Sequence, residues 1–255
     1  MLATLPMYDF PEVREATDAF WAAIAEAYGV TGKLTRDADW NSAWRNPDLL
    51  FSQCCGYPYT HEFKGVLNYV ATPHYAAKGC DGANYRSIIF AREQKPLSAF
   101  RGSIAAFNDR DSMSGMLALK LVFAPLAKQG RFFENSLETG GHVNSLQFVQ
   151  SAKADICAID CVTVAYLERY RPSALEGLVE IARSPLVPAL PFITRGGNVE
   201  ALKKALLAVC KDTGYADVLN ALFLKTVTVL PADAYDIIVA EEQALRGKGD
   251  LQPWT

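Results

Sequence analysis

The chain has 255 residues, of which 28 are acidic and 25 are basic, so its formal net charge is −3. Half of the residues are hydrophobic, a composition that excludes disorder and collagen-like repeats and indicates a packed globular protein. Because the charge is small and no basic run occurs, binding to nucleic acid is not expected. The apolar stretches fall short of the ~20 residues that cross a bilayer, so membrane insertion is not expected either.

The N-terminal residues lack the basic region and the apolar core of a signal peptide. As written, the sequence predicts a cytoplasmic protein, with a periplasmic location as the alternative for a processed N-terminus. The six cysteines are too sparse for a disulfide scaffold and form no C-x-x-C pair, so no structural zinc is expected. Cys55 and Cys80 lie in neighbouring loop segments and are expected to stay reduced.

Helical and strand-like patterns alternate along the chain. Asp9 is expected to cap a first helix that begins near Pro11 and that Gly29 ends. Apolar β-rich segments predict strands at 66–71, 87–91, 104–108 and 156–160. Helical spacing, including a stripe that Asn198 can cap, predicts helices at 115–127, 142–152, 198–210, 215–224 and 233–246. Strands that alternate with helices favour an α/β fold with largely parallel sheets.

The first segment that could carry chemistry is Phe107-Asn-Asp-Arg-Asp-Ser-Met-Ser-Gly-Met116. A predicted strand ends here in a serine-rich turn, and a helix begins immediately. The free amides of that helix start, together with the Ser112 and Ser114 hydroxyls, could bind an anion. The alternative is that one of these serines only caps the helix.

The second segment, Glu138-Thr-Gly-Gly-His-Val-Asn-Ser145, is another strand-to-helix junction. Its glycines allow close backbone approach, and His142 and Ser145 lie one helical turn apart. A glycine turn with a surface histidine is the alternative. Asp160 ends a third predicted strand, where it could receive a ligand group or cap the helix that begins near Val162. Parallel strands gather ligands at their carboxyl ends, so the first two junctions are expected to face a common ligand.

A third group of segments combines glycine, proline and tyrosine, as in loops that line a cleft. These segments are 51–59, 72–75 and 79–85. Packing between loops would explain the same composition. Cys55 could serve as a nucleophile only beside a base, for which the chain offers His61, His74 and His142.

The order of these segments resembles a known family. Ser-Gln-Cys-Cys-Gly-Tyr-Pro, Ala-Thr-Pro-His-Tyr and Gly-Cys-Asp-Gly-Ala-Asn-Tyr-Arg-Ser are followed by the serine-rich, glycine–histidine and aspartate-ending segments described above. This ordered set, over roughly residues 1–195, resembles the phosphate/phosphonate-type substrate-binding proteins of ABC transporters, which are type 2 periplasmic binding proteins.

The resemblance implies a two-lobed α/β fold with mixed, mostly parallel sheets flanked by helices and a ligand cleft between the lobes. Lobe 1 would comprise 1–97 and 193–255, and lobe 2 would comprise 98–192. The hinge would lie near 95–98 and 190–194.

The resemblance also implies a ligand site. Ser112, Ser114 and Gly115 would grip the phosphoryl group of the ligand, with His142 nearby. The remaining candidate ligand-binding residues are Ser145 and Asp160 and, from the facing lobe, Tyr8, Gln53, Tyr57 and Tyr85.

The expected function is non-catalytic binding of a small oxyanion such as a phosphonate or a phosphate ester. The protein would need no cofactor, would be a monomer or weak dimer, and would have an ABC permease as partner. The alternative is a cytoplasmic enzyme on the same scaffold, of the thiamine-pyrimidine or menaquinone synthesis type, that uses Cys54, Cys55 or His142.

Overall fold

A computed structural model describes residues 1–37 and 39–246 of the chain. The strands are β1 (Leu2–Ala3), β2 (Leu49–Gln53), β3 (Asn68–Tyr75), β4 (Asn84–Tyr85), β5 (Ser87–Ala91), β6 (Ile104–Phe107), β7 (Asn135–Glu138), β8 (Ile156–Asp160), β9 (Val179–Arg183), β10 (Val187–Pro188), β11 (Phe192–Thr194) and β12 (Leu224–Thr228). The α-helices are α1 (Arg14–Tyr28), α2 (Trp40–Arg45), α3 (Gly56–His61), α4 (Ala118–Phe123), α5 (His142–Gln150), α6 (Cys161–Tyr170), α7 (Val199–Lys211), α8 (Ala216–Ala221) and α9 (Asp236–Arg246).

The chain divides into two compact units. Unit 1 comprises Met1–Asn84 and Pro188–Ala234, and unit 2 comprises Tyr85–Val187 and Tyr235–Thr255, of which 247–255 lie outside the described residues. These boundaries differ from the predicted ones at 97/98 and 192/193. Strand β5, which the prediction placed in the first lobe, pairs with β8 and β9 of unit 2. The predicted lobe 1 also included α9, which packs against α4 in unit 2.

Unit 1 is built on a five-stranded sheet with the order β1-β2-β11-β3-β12. Only β1 and β2 pair in parallel among these strands, and the other pairs are antiparallel. Helices α1, α7 and α8 pack together on this unit. In its core, Trp21 of α1 stacks on Phe51, which in turn stacks on Phe192. This aromatic stack joins the first helix to two neighbouring strands of the sheet.

The ends of two helices in unit 1 follow the prediction, and one does not. Gly29 ends α1 with a left-handed φ of 88°, and the Asn198 side chain accepts a hydrogen bond from the Ala201 amide at the start of α7. The predicted Asp9 cap is wrong, since α1 follows a 3₁₀ turn without a side-chain cap. The Asp9 carboxylate instead accepts hydrogen bonds from the Arg14 and Arg36 side chains.

Unit 2 is built on a second five-stranded sheet with the order β7-β6-β8-β5-β9. The neighbouring strands β7, β6 and β8 are parallel, whereas β5 is antiparallel to both β8 and β9. The mixed α/β class is therefore as predicted, but within the two five-stranded sheets parallel pairing is limited to β1–β2 and to this group of three strands. Antiparallel strands, unlike parallel ones, can be joined without a helical crossover connection.

Candidate oxyanion-binding site

Three strand ends of unit 2 lie side by side, and each leads into a helix. Strand β6 ends at Phe107, β7 at Glu138 and β8 at Asp160. Because these strands are parallel neighbours, their carboxyl ends share one edge of the sheet. The helical segments that follow therefore point their free amide groups and the positive ends of their dipoles toward this edge. The local field there favours a negative charge.

The serine-rich segment forms the first of these helix starts. A π-helical turn, Met113–Leu117, leads into α4, and the Ser112 hydroxyl accepts a hydrogen bond from the Gly115 amide at 2.9 Å. Ser112 is therefore a helix cap, the alternative left open by the sequence. The Ser114 hydroxyl has a different partner, because its Oγ lies 2.9 Å from Nε2 of His142.

Gly115 allows the close approach of two segments at this edge. A Cβ atom at this position would lie 1.8 Å from Oδ1 of Asn108 and 3.2 Å from the Asn108 backbone nitrogen. Asn108 follows β6 directly, and its carbonyl accepts a hydrogen bond from the Gly140 amide at 2.9 Å. The absence of a side chain at position 115 thus lets the serine-rich turn pack onto the end of β6.

His142 connects the three helix starts. It is the first residue of α5, and its Nε2 lies 2.9 Å from Ser114 Oγ and 3.4 Å from Oδ2 of Asp160. The side chains of His142 and Asp160 are only 14% and 3% exposed. The predicted site residues Ser114, His142 and Asp160 therefore do come together, although they are distant in sequence.

Burial sets the charge of this histidine. Desolvation lowers the pKa of His142 below its ordinary value, while the Asp160 carboxylate and the Ala158 carbonyl oppose that shift. The imidazole is therefore mainly neutral near pH 7. An anion placed against it would raise the pKa and favour the protonated form, which donates from both ring nitrogens.

Asp160 caps α6, which was the second of the two roles predicted for it from the sequence. Its Oδ1 accepts hydrogen bonds from the Val162 and Thr163 amides, and its Oδ2 accepts a bond from the Thr163 hydroxyl. Thr163 was missed by the sequence analysis, because the usual signal three residues after a cap is Glu or Gln rather than Thr. These bonds hold the carboxylate in a fixed position beside His142.

Ser145 holds the glycine loop, residues 139–141, in place through its hydroxyl group. Its hydroxyl is buried and lies 2.7 Å from Oγ1 of Thr139 and 3.2 Å from the Gly141 carbonyl oxygen. Thr139 Oγ1 also donates to the Phe107 carbonyl, which ties the loop to the end of β6. Thr139 was another residue that the sequence analysis missed. Together these bonds fix the loop that presents His142.

The four candidate residues expected from the facing lobe are divided between the two units, because Tyr85 lies in unit 2 rather than in unit 1. In unit 1, Nε2 of Gln53 donates to Tyr75 and to the Leu190 carbonyl, and Tyr8, at a φ of 63°, meets Tyr75 edge to face. Tyr57 stacks on the exposed His61 ring. Tyr85 belongs to unit 2 and is 1% exposed.

The segments expected to be cleft loops prove to be partly regular structure. Residues 51–53 lie in β2, residues 56–59 in α3 and residues 72–75 in β3. Antiparallel pairing with β12 explains why the last of these is a strand.

The cysteine chemistry of the enzyme alternative gains no support from unit 1. Burial, and to a smaller extent the neighbouring Cys55, raise the pKa of Cys54 well above its ordinary value, so its thiolate is disfavoured. All six cysteines are thiols in the structure. Among residues 1–37 and 39–246, no group of three or more histidine, cysteine or acidic side chains could hold a metal ion.

Comparison with known proteins identifies the family. The sequence profile for ABC transporter, phosphonate, periplasmic substrate-binding proteins matches residues 2–236, which is most of the chain. The chain belongs to this family. Its members are substrate-binding proteins, not enzymes, which agrees with the non-catalytic function predicted from sequence. No curated protein matches the sequence.

Solved structures support the same fold for this phosphonate-binding-family chain. PhnD1 from Prochlorococcus marinus, in complex with methylphosphonate, is 14% identical, with a TM-score of 0.77 and coverage of 96% of this chain and 98% of its own. A binding protein component of the ABC phosphonate transporter from Pseudomonas aeruginosa is 16% identical, with a TM-score of 0.75 and coverage of 97% and 87%. At these identities the likeness establishes the periplasmic-binding-protein fold alone.

The family is described as periplasmic. In the part of the chain that the structure describes, every helix is too short or too polar to span a membrane.

Proposed function

We propose that this chain binds a phosphonate, a phosphate ester or a similar small tetrahedral oxyanion at the shared strand edge of unit 2. The observation that carries the proposal is the 2.9 Å approach of Ser114 Oγ to His142 Nε2 at that edge. These two side chains come from different helix starts, 28 residues apart in sequence. Both can turn a donor toward the same ligand oxygen.

The electrostatics favour a tetrahedral anion over a neutral ligand. Helix-start amides, a serine hydroxyl and a histidine that can take up a proton all donate hydrogen bonds, and each charge-assisted bond contributes roughly 1.5–3 kcal/mol. The carboxylate of Asp160 would repel an anion, but its oxygens already accept three hydrogen bonds from Val162 and Thr163. The proton that His142 gains on binding would balance part of that negative charge.

Family membership supports a transport role. We infer that the chain is the substrate-binding component of an ABC-type uptake system and delivers its ligand to a permease. The ligand contacts expected of Tyr8, Gln53, Tyr57 and Tyr85, and the hinged closure expected from the resemblance, stay predictions.

A thermal-shift screen with methylphosphonate, 2-aminoethylphosphonate, phosphate and sulfate tests the proposal. At least one phosphorus oxyanion should raise the melting temperature of the wild-type protein, and the Ser114→Ala variant should lose most of that shift. Phosphorus NMR of the bound ligand should show it unchanged after prolonged incubation. A lack of any stabilising oxyanion would contradict the site, and conversion of the ligand would favour the enzyme alternative.

A further inference from the structure

A cationic cavity lies at the opposite edge of the unit 2 sheet from the oxyanion site. It measures about 610 Å³, and its lining includes Arg101, Lys128, Arg131, Phe132 and Glu134. These residues precede β6 and β7, so the cavity lies at the amino ends of the strands whose carboxyl ends carry the oxyanion site. The four residues of β6 span roughly 13 Å at about 3.3 Å per residue. The two places are therefore distinct.

The turn between Lys128 and Arg131 holds two cations side by side. Each of these residues donates its amide to the carbonyl of the other at 3.0 Å, in an isolated antiparallel bridge. Residues paired in this way direct their side chains to the same face, where like charges destabilise the pair. The turn also places Gln129 at a φ of 52°, which is an unfavourable conformation for a residue other than glycine.

Arg101 adds a third fixed cation to the cavity. Its guanidinium donates to the Arg131 carbonyl at 3.3 Å and to the Leu126 carbonyl, and it lies over the Phe132 ring at 5.0 Å. These partners are uncharged, so they orient the guanidinium without neutralising it.

These cations lack the counter-ions that their neighbours have. In the adjoining cavity, Arg92 forms an ion pair with Asp155 at 2.9 Å, and Lys95 pairs with Glu93 at 2.6 Å. By contrast, Arg101, Lys128 and Arg131 form no ion pair with any described residue, although Glu134 also lines their cavity. A protein with a net charge of −3 thus concentrates unneutralised positive charge at one concave place.

We propose that this cavity binds a small oligophosphate, either inorganic or as the phosphate chain of a larger molecule. The volume lies within the usual range for small-molecule sites, and a chain of linked phosphates carries enough negative charge to meet three cations at once. Bound phosphates would also relieve the repulsion between Lys128 and Arg131. The oxyanion site at the other edge is not involved, so this proposal is independent of the proposed function.

Titration calorimetry with inorganic triphosphate, at about 150 mM salt, tests the proposal. The wild-type protein should bind triphosphate, and the Lys128→Gln/Arg131→Gln variant should bind it at least about tenfold more weakly. The matched control is Lys153→Gln/Arg169→Gln, which removes the same charge elsewhere on unit 2, where the two side chains lie over Phe148 and Tyr170. That control should change the affinity less than about twofold.

Three further measurements complete the test. A nucleoside triphosphate that binds as tightly as triphosphate indicates that the phosphate chain is what the site recognises, and tighter binding indicates a larger natural ligand. The unliganded Lys128→Gln/Arg131→Gln variant should melt no lower than wild type, since it loses a repulsive pair. The proposal would be overturned by equal losses of triphosphate affinity in the two double variants or by no binding of triphosphate. Equally tight binding of a poly-glutamate peptide would overturn it as well.

Discussion

The close contact between Gly115 and Asn108 offers a sharp test of how the oxyanion site is built. In a Gly115→Ala variant the new Cβ would lie 1.8 Å from Asn108 Oδ1 and 3.0 Å from its Cγ, distances that require the Asn108 side chain to move. No described residue donates a hydrogen bond to that Oδ1, so its rotation breaks none. The Asn108 backbone nitrogen at 3.2 Å cannot rotate away, and the serine-rich turn must therefore shift as well.

The magnitude follows from two opposing effects. Alanine is favoured over glycine inside a helix by roughly 1 kcal/mol. Overpacking of a tight site costs about 1–3 kcal/mol, so the net expectation is a loss of stability of up to about 2 kcal/mol. For a chain of this size that corresponds to a fall in melting temperature of up to roughly 8 °C. Oxyanion affinity should fall more clearly, because the turn carries Ser114.

Calorimetric melting and oxyanion titration of three variants test this expectation. In Gly115→Ala both properties should decrease, and Asn108→Ala/Gly115→Ala should regain part of each because the obstructing side chain is gone. Gly141→Ala is the control for stability, since a Cβ there would meet only Asn144 at 3.8 Å. If Gly115→Ala melts and binds like wild type, or if Gly141→Ala lowers the melting temperature equally, the steric explanation is refuted.

Five other outcomes are expected. Ser114→Ala should weaken oxyanion binding at least about tenfold at little cost in stability, whereas Ser112→Ala should lower stability by about 1 kcal/mol through loss of the helix cap; calorimetry separates the two. Affinity should increase as the pH falls through the pKa of His142 in the complex and level off below its pKa in the free protein, and His142→Asn should lack that dependence. In Asp160→Asn the pKa of His142, measured by histidine NMR, should fall further. An unchanged pKa would contradict the influence of the Asp160 carboxylate on His142. When the protein is kept free of reductant and then unfolded, an alkylating agent should modify all six thiols. A lower number would indicate an oxidising compartment.

Local patterns predicted the regular elements well where neighbours along the chain decide the structure. The strands at 87–91 and 156–160 have the predicted bounds, and Gly29 and Asn198 end and begin their helices as expected. Asp9 shows the limit of such patterns. Its carboxylate bonds to Arg36, 27 residues away, and a competing partner at that distance leaves no local signal.

Sequence patterns indicated which strand ends lie together, but not the roles of the residues there. Strand ends followed by helix starts indicated the positions of Ser114, His142 and Asp160. Only the fold shows that Ser112 and Asp160 act as caps and that Ser145 supports the glycine loop. These assignments depend on which hydroxyl or carboxylate faces a helix amide, and the sequence spacing allowed either choice.

The most direct test of the oxyanion site is an NMR titration of the protein with methylphosphonate. The proposed site predicts that the largest shifts occur at the amides of 113–117 and at the imidazole of His142, together with a rise in the pKa of His142 on saturation. Shifts confined to the cationic cavity near Arg101 and Lys128, with the 113–117 amides and His142 unchanged, would contradict it.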